Sequence, residues 1–155
     1  MTRSSFLGYE CSKCGTAYSA KELQTICKDS NCGRPLLAKY DLVKAKATLN
    51  LQSLRNRDAS LWRYEEVLPV DQDDAVTLGE GFTPLLRARN LGAAAGFNSS
   101  TQPTILVKDE SANPTGSFKA RGLCMAISVM HKFGGDHAAM PTAGNAGAAA
   151  AAYSA

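Results

Sequence analysis

The sequence predicts an α/β protein in which a small cysteine-rich module precedes a parallel sheet with flanking helices. Four cysteines lie within the first 32 residues, and strand-like and helix-like segments alternate after residue 103. Such alternation is typical of parallel sheets. At 45% hydrophobic residues, the chain can form a real core. We place the cysteine module at residues 1–42, a connector and arm at 43–75, and the α/β part at 76–155.

The cysteines of the first module form two pairs. Cys11 and Cys14 are separated by two residues, Cys27 and Cys32 by four, and a glycine follows each pair. In a cytosolic chain such pairs indicate zinc rather than disulfides. Four sulfur ligands would leave no open coordination position, which predicts a structural Zn2+ in a zinc ribbon. The alternative is two structural or redox thiol pairs without metal.

The next segments link this module to the α/β part. Residues 43–61 are polar with spaced leucines, which predicts a connector with a helical piece. Residues 61–70, "LWRYEEVLPV", form an aromatic arm whose Trp62 and Tyr64 we expect to pack on the α/β part.

The α/β part is predicted element by element. We expect a loop with two glycines and then a strand near 83–86, a helix end and polar loop at 93–102, and a strand at 104–110. A helix at 117–135 should follow, stopped at its C-terminus by Gly134 and Gly135, then a strand at 137–143 and a helix at 147–155. Ligands of parallel sheets lie at the carboxyl ends of the strands. Lys119 and the loop 142–147 both fall there.

Lys119 follows a Pro-Gly turn in "NPTGSFKARG" and opens an apolar helix. The first turn of a helix disfavours a positive charge, and so does burial. A lysine there gives up its proton more readily, as a nucleophile must. The alternative is an ordinary lysine at a helix start.

The loop "TAGNAG", residues 142–147, combines glycines with a helix start. Glycine permits close backbone approach, and free N–H groups favour an anion. Asn145 is either a binding residue or a helix N-cap, and both roles are compatible. Glu80 and Asp109 are expected to be structural hydrogen-bond partners, without a catalytic role. Four further polar residues are candidates for a substrate phosphate: Ser111, Asn113, Thr115 and Ser117.

Three segments, "LGEGFTPLLRARNLG", "VKDESANPTGSFKARG" and "PTAGNAGAAAAAYSA", resemble the threonine synthases of the tryptophan-synthase-beta family, which are fold type II pyridoxal-phosphate (PLP) enzymes. The four-cysteine segment is similar to the ribbon on some of them. The resemblance implies that Lys119 forms the Schiff base with PLP, that Phe118 packs beside the ring and that Asn145 bonds its phenolic oxygen. It also implies a substrate carboxylate site at Thr142, Gly144, Asn145 and Ala146.

The implied reaction converts O-phospho-L-homoserine and water into L-threonine and phosphate. Cysteate synthase and threonine dehydratase remain alternatives within the same fold. A zinc-ribbon binding module for nucleic acid or protein is an alternative of another class, because residues 1–46 hold eight Lys/Arg against four Asp/Glu. Those charges are scattered without an aromatic platform, so nucleic acid is not the expected partner.

Partners and location follow from the same observations. We expect an amino-acid substrate, a homodimer of the full-length form, and a cytoplasmic protein without a membrane span or secretory signal. The chain ends within a helix, and the family's glycine-rich phosphate loop and its partner for the pyridine nitrogen lie further along. We therefore expect an N-terminal part of a longer protein that is inactive alone.

Overall fold

The computed structural model describes residues 3–96 and 105–155 of the chain. Over these two ranges the polypeptide forms five β-strands, five α-helices and several short 3-10 turns, which confirms the α/β class. None of the helices in this described part is long and apolar enough to cross a membrane. The end of the expected polar loop, from residue 97 onwards, lies outside the described residues.

The cysteine module is built on a three-stranded antiparallel sheet in the order β2, β1, β3. Its strands are β1 (Phe6–Cys11), β2 (Ala17–Ser19) and β3 (Leu36–Tyr40). The ring of Phe6 packs against Tyr9 and Tyr40, with centroids 4.9 and 5.5 Å apart. Because β1 ends at Cys11, the sheet presents the first knuckle at the end of its central strand.

The connector contains two short helices, α1 (Leu42–Thr48) and α2 (Leu51–Arg55), so the expected helical piece is confirmed. Asp41 caps α1 by accepting a hydrogen bond from the Lys44 amide, and Asn50 with Ser53 forms a capping box on α2. Such caps satisfy amides that a helix start leaves without partners. The arm follows as a 3-10 helix over Leu61–Val67.

The remaining elements form the α/β part. They are β4 (Leu85–Arg87), α3 (Arg89–Ala94), β5 (Leu106–Lys108), α4 (Lys119–Lys132) and α5 (Asn145–Ser154). Two 3-10 turns, Glu110–Ala112 and Pro114–Gly116, join β5 to α4. Helix α4 ends just before Gly134, whose φ of 73° is left-handed, so the expected glycine stop is confirmed.

The parallel sheet differs from the expectation. In the described residues β4 and β5 pair antiparallel, with Leu86 opposite Val107. Residues 137–143, expected as a strand, form none and are exposed. A strand needs a neighbouring strand for its backbone hydrogen bonds, and none lies beside this segment in the described part of the chain. Alternation along the sequence orders the elements but does not determine which strands pair.

The core lies between α4, α5 and the arm. Its buried members are Trp62, Val70, Ala120, Cys124, Ile127, Ala149 and Tyr153. Trp62 is 3% exposed, which confirms its expected packing, whereas Tyr64 is covered only in part and is 39% exposed. The two alanines, one on each helix, are fully buried and let α4 and α5 approach closely.

Candidate functional site

The four clustered cysteines converge into one site. The Sγ atoms of Cys11, Cys14, Cys27 and Cys32 all lie within 4.8 Å of one another. The Sγ–Sγ distance is 3.4 Å for Cys11–Cys32 and 3.6 Å for Cys14–Cys27. Both exceed the roughly 2.05 Å of a disulfide bond, and all four thiols are free. Each close pair takes one cysteine from each knuckle, so the two sequence pairs form a single cluster.

The knuckles are shaped by their glycines and backbone amides. Gly15 and Gly33 have left-handed φ values of 74° and 54°, as the tight turn after each cysteine pair requires. Hydrogen bonds from the amides of Cys14 and Lys13 lower the pKa of the Cys11 thiol to about 6. The thiolate is the form that binds metal, so this knuckle is prepared for a cation.

The dimensions of the cluster fit a tetrahedral metal. Four thiolates at about 2.3 Å from Zn2+ would lie about 3.8 Å from one another. The observed 3.4 and 3.6 Å are close to that separation. The Tyr18 hydroxyl lies 3.1 Å from Cys27 Sγ and accepts a hydrogen bond from the Lys28 amide. Tyr18 therefore orients the Cys27 thiol from outside the cluster of four cysteines.

Lys119 is the first residue of α4 and follows a tight turn. In this turn Thr115 and Gly116 have left-handed φ values of 65° and 70°. Thr115 is not glycine, and strain of this kind is often found at functional sites. Lys119 is half-buried, and its Nζ lies 4.4 Å from the centre of the Phe118 ring. Phe118 itself is 57% exposed, so lysine and ring border open space together.

The loop 142–147 forms the start of α5. Asn145 is the first residue of the helix and is exposed. The cap comes instead from Thr142, whose Oγ1 accepts hydrogen bonds from the amides of Gly144 (3.1 Å) and Gly147 (2.8 Å). The N-cap interpretation of Asn145 is therefore wrong, and its side chain is not used for capping. Ala146 is half-buried in the first turn.

Helices α4 and α5 pack side by side. Residues from the second half of α4 and the last turn of α5 line one cleft: Ile127, Met130, His131, Tyr153 and Ser154. Helix α5 also packs against the turn Pro114–Gly116 that precedes Lys119. Both helices therefore begin at the same end of the pair, which brings the lysine turn and the asparagine loop to one side.

Glu80 and Gly81 link the three motif segments. The fully buried Glu80 accepts hydrogen bonds from the Trp62 indole and the Tyr153 hydroxyl, both at 2.7 Å. The Gly81 amide donates to Asn113 Oδ1 at 3.0 Å. Burial alone would raise the pKa of the Glu80 carboxyl, but hydrogen bonds, led by that from Tyr153, lower it. The structural role expected for Glu80 is thus observed.

Asn113 is committed to the fold rather than to a ligand. It is 5% exposed, and its Nδ2 donates to the carbonyl and carboxylate of Glu110. Ser117 is also buried. The phosphate-binding hypothesis is therefore wrong for Asn113, while Ser111 and Thr115 are exposed. Asp109 accepts hydrogen bonds from the amide and hydroxyl of Ser111, which is a structural role.

An ion pair beside the lysine turn was not expected from the sequence. Arg121 Nε and Nη2 donate to the two carboxylate oxygens of Glu110 at 2.6 and 2.9 Å, and Thr83 Oγ1 donates to one of them at 2.6 Å. Hydrogen bonds from Arg121 and Thr83 lower the pKa of the Glu110 carboxyl to about 2. The two partners are eleven residues apart across a loop, and no local spacing rule identifies such a pair.

Known proteins show similarity over the same segments. The profile of a family described as "Pyridoxal-phosphate dependent enzyme" matches residues 76–155. The chain is 39% identical over 146 residues to the threonine synthase of Methanocaldococcus jannaschii and 34% identical over 146 residues to that of Methanosarcina acetivorans. The threonine synthase of Halalkalibacterium halodurans is 43% identical over 102 residues, which are 62% of this chain and 27% of that protein.

The alignments cover most of this chain but only a part of each relative. The alignments with the M. jannaschii and M. acetivorans proteins each cover 94% of this chain, including the four-cysteine segment, but 34% of the relative. The chain thus spans about a third of the length of these curated relatives. No solved structure matches the chain significantly.

Proposed function

Because the chain belongs to the family of pyridoxal-phosphate-dependent enzymes, we propose that it carries the lysine-bearing part of a threonine synthase. The proposed reaction converts O-phospho-L-homoserine and water into L-threonine and phosphate. One observation carries the proposal: the lysine turn and the asparagine loop open two neighbouring helices at one side of the molecule. The names of the relatives support the same choice.

The residues at this side fit one face and edge of PLP. Lys119 supplies an amine at a helix start, beside the exposed ring of Phe118. Asn145 is exposed at the first position of α5. Because Thr142 accepts the capping hydrogen bonds, the side chain of Asn145 is not needed for capping. An amide donor at this place suits the phenolic oxygen of the cofactor. The first turn of α5 offers backbone N–H groups to an anion.

In the proposed mechanism, PLP when bound supplies an electron sink that acidifies the carbons next to the substrate amino group. Lys119 would hold the cofactor through its Nζ. The same amine would be the base nearest the substrate α-carbon and would move the proton there. The loop 142–147 holds the substrate carboxylate through Thr142, Gly144, Asn145 and Ala146.

We also propose that the four cysteines bind one structural Zn2+. Their cluster geometry and the four-sulfur donor set support zinc, and a closed coordination sphere suits a structural role. The proposed boundaries at residues 42 and 75 agree with a sheet that ends at Tyr40 and a family match that begins at residue 76. A cytoplasmic location and a homodimer of the full-length form complete the proposal.

We propose that the 155 residues alone do not catalyse this reaction. Phe118 is 57% exposed, and Thr142 and Asn145 are exposed as well. Catalysis of this type requires a site closed from water, where electrostatic interactions are strong. Additional protein surface over these residues would supply that closure.

A phosphate-release assay with O-phosphohomoserine tests the function. We expect saturable release by the protein expressed from its complete gene and none by the 155 residues alone. Sulfite and threonine, offered in parallel, separate the cysteate synthase and threonine dehydratase alternatives. Turnover with either of these, but not with O-phosphohomoserine, would exclude a threonine synthase.

Borohydride reduction followed by peptide mapping tests the lysine. We expect the pyridoxyl group on Lys119, and we expect Lys119→Ala to abolish turnover while the ribbon keeps its metal. Lys132, which pairs with Asp74 at the far end of α4, provides the control, because Lys132→Ala should leave labelling unchanged. A label on Lys108 or Lys132 would contradict the proposal.

A further inference from the structure

Glu80 is a buried carboxylate that the reaction itself does not require. It is 0% exposed and lies in the loop 78–84 rather than on α4 or α5. Burying an ionised carboxylate is costly unless several donors surround it. Its presence in the core between the arm and α5 therefore needs a reason.

All the hydrogen-bond partners of this carboxylate in the described residues are donors. Oε1 accepts from the Trp62 indole at 2.7 Å and the Thr77 hydroxyl at 3.0 Å. Oε2 accepts from the Leu78 amide at 3.0 Å and the Tyr153 hydroxyl at 2.7 Å. A carboxylate with four donors is fully satisfied only in its ionised form. The group thus joins its own loop, the arm and helix α5 through charge-assisted bonds.

The same loop also holds the lysine turn. The Gly81 amide donates to Asn113, which directly precedes the turn Pro114–Gly116. One dipeptide therefore contacts the approach to Lys119 with its backbone and α5 with its side chain. The position of α5 relative to that turn depends on both contacts.

We propose that Glu80 is a positioning residue, which sets helix α5, and with it Asn145, relative to Lys119 through the Tyr153 hydroxyl. This inference rests on the proposed function, because it assigns Asn145 to the cofactor. The tether lies near the end of α5, eight residues after Asn145, or about 12 Å along a rigid helix. Fixing one end of so short a helix fixes the place of the other.

Substitutions can separate this role from general support of the core. Glutamine is a poor replacement for Glu80, because the Trp62 indole and the Leu78 amide donate to different carboxylate oxygens. Both are N–H groups, which cannot act as acceptors. Whichever way the amide of Glu80→Gln is turned, its NH2 group faces one of these N–H groups. Tyr153→Phe is the milder variant, because it removes only the bond to α5 and keeps the buried ring.

The test uses the protein expressed from its complete gene. We expect Tyr153→Phe to weaken PLP binding about tenfold, the change that 1.4 kcal/mol produces, and to shift the pH dependence of the absorbance of bound PLP. Hydrogen exchange of amides 148–152, which lie beyond the free N–H groups of the first turn of α5, should become faster, while amides of α4 stay protected. Glu80→Gln should show the same changes more strongly if it folds. Tyr9→Phe, in the ribbon, is the matched control and should change neither reading, because no hydrogen bond of its hydroxyl occurs in the described residues.

The outcomes distinguish this inference from the proposed function. If wild-type protein binds PLP and Tyr153→Phe lowers only the thermal stability, with PLP affinity and spectrum unchanged, Glu80 is merely structural and the inference fails. If wild-type protein binds no PLP, the proposed function fails, and exchange of the α5 amides still decides whether Glu80 positions the helix. Unchanged exchange at amides 148–152 in Tyr153→Phe overturns the inference in either case.

Discussion

Gly81 shows how closely a single residue can be constrained. Its φ is 97°, and a Cβ built there would lie 2.4 Å from the Leu61 amide nitrogen. Backbone atoms cannot move aside as the end of a flexible side chain can. The neighbouring Gly79 has a similar φ of 85° but open space around it. Comparing the two glycines therefore separates the effect of a left-handed backbone from the effect of a close contact with Leu61.

We predict that Gly81→Ala lowers the free energy of unfolding by more than about 3 kcal/mol, since it adds a steric clash to the backbone strain. Gly79→Ala should cost roughly 1–2 kcal/mol, the cost of a side chain in a left-handed conformation. Urea unfolding of both variants measures the difference. Equal losses would show that the contact between Gly81 and Leu61 does not constrain this loop.

The cysteine module is the element whose stability should depend on metal. Its sheet has three short strands and a small aromatic cluster around Phe6, so the module has little apolar core of its own. Metal binding then contributes directly to folding of the module. Helices α4 and α5 have their own buried core with the arm and do not share this dependence.

We predict about one Zn2+ per chain in protein purified without added zinc, as a four-thiolate site requires. Chelation or Cys11→Ser should unfold β1–β3 while α4 and α5 keep their protection against hydrogen exchange. Cys124→Ser makes the same chemical change in the core and should keep the full zinc content. A Cys11–Cys14 disulfide in metal-free native protein would contradict the zinc site.

The whole molecule should lose stability in acid. Hydrogen bonds from Arg57 lower the pKa of the buried Glu66 to about 2, and those from Arg121 do the same for Glu110, against an ordinary value of 4.5. Glu66 joins the connector to the arm, and Glu110 joins the turn Glu110–Ala112 to α4. Because both pKa values are lower in the folded state, their contribution is complete above about pH 4.5. It disappears as the pH falls towards 2.

Glu66→Gln isolates one of these contributions. We predict that the variant is less stable than wild type at pH 7 and that the difference shrinks steadily between pH 4.5 and 2.5. Urea unfolding followed by fluorescence of Trp62, the single tryptophan, reports on the core beside this ion pair. Any zinc contribution cancels because it is common to both proteins. A difference that stays constant over this pH range would show that Glu66 does not act through its charge.

What the sequence determined by itself is local. The Cys-Gly knuckles predicted the thiol cluster, and the turn "PTG" with the apolar face behind it placed Lys119 at a helix start. Gly134 marked the end of that helix. Each of these features depends on residues a few positions apart, and their spacing and backbone preferences are already present in the chain.

Only the tertiary structure decided the pairing of distant parts. The antiparallel pairing of β4 with β5, the missing strand at 137–143 and the ion pair of Glu110 with Arg121 have no local signature. Glu80 meets Trp62 across 18 positions and Tyr153 across 73. Its role could not be derived from spacing, because a buried carboxylate takes whatever donors the packed surfaces bring to it. Local preferences determine where elements begin and end, whereas burial and hydrogen-bond satisfaction across the whole molecule determine which of them meet.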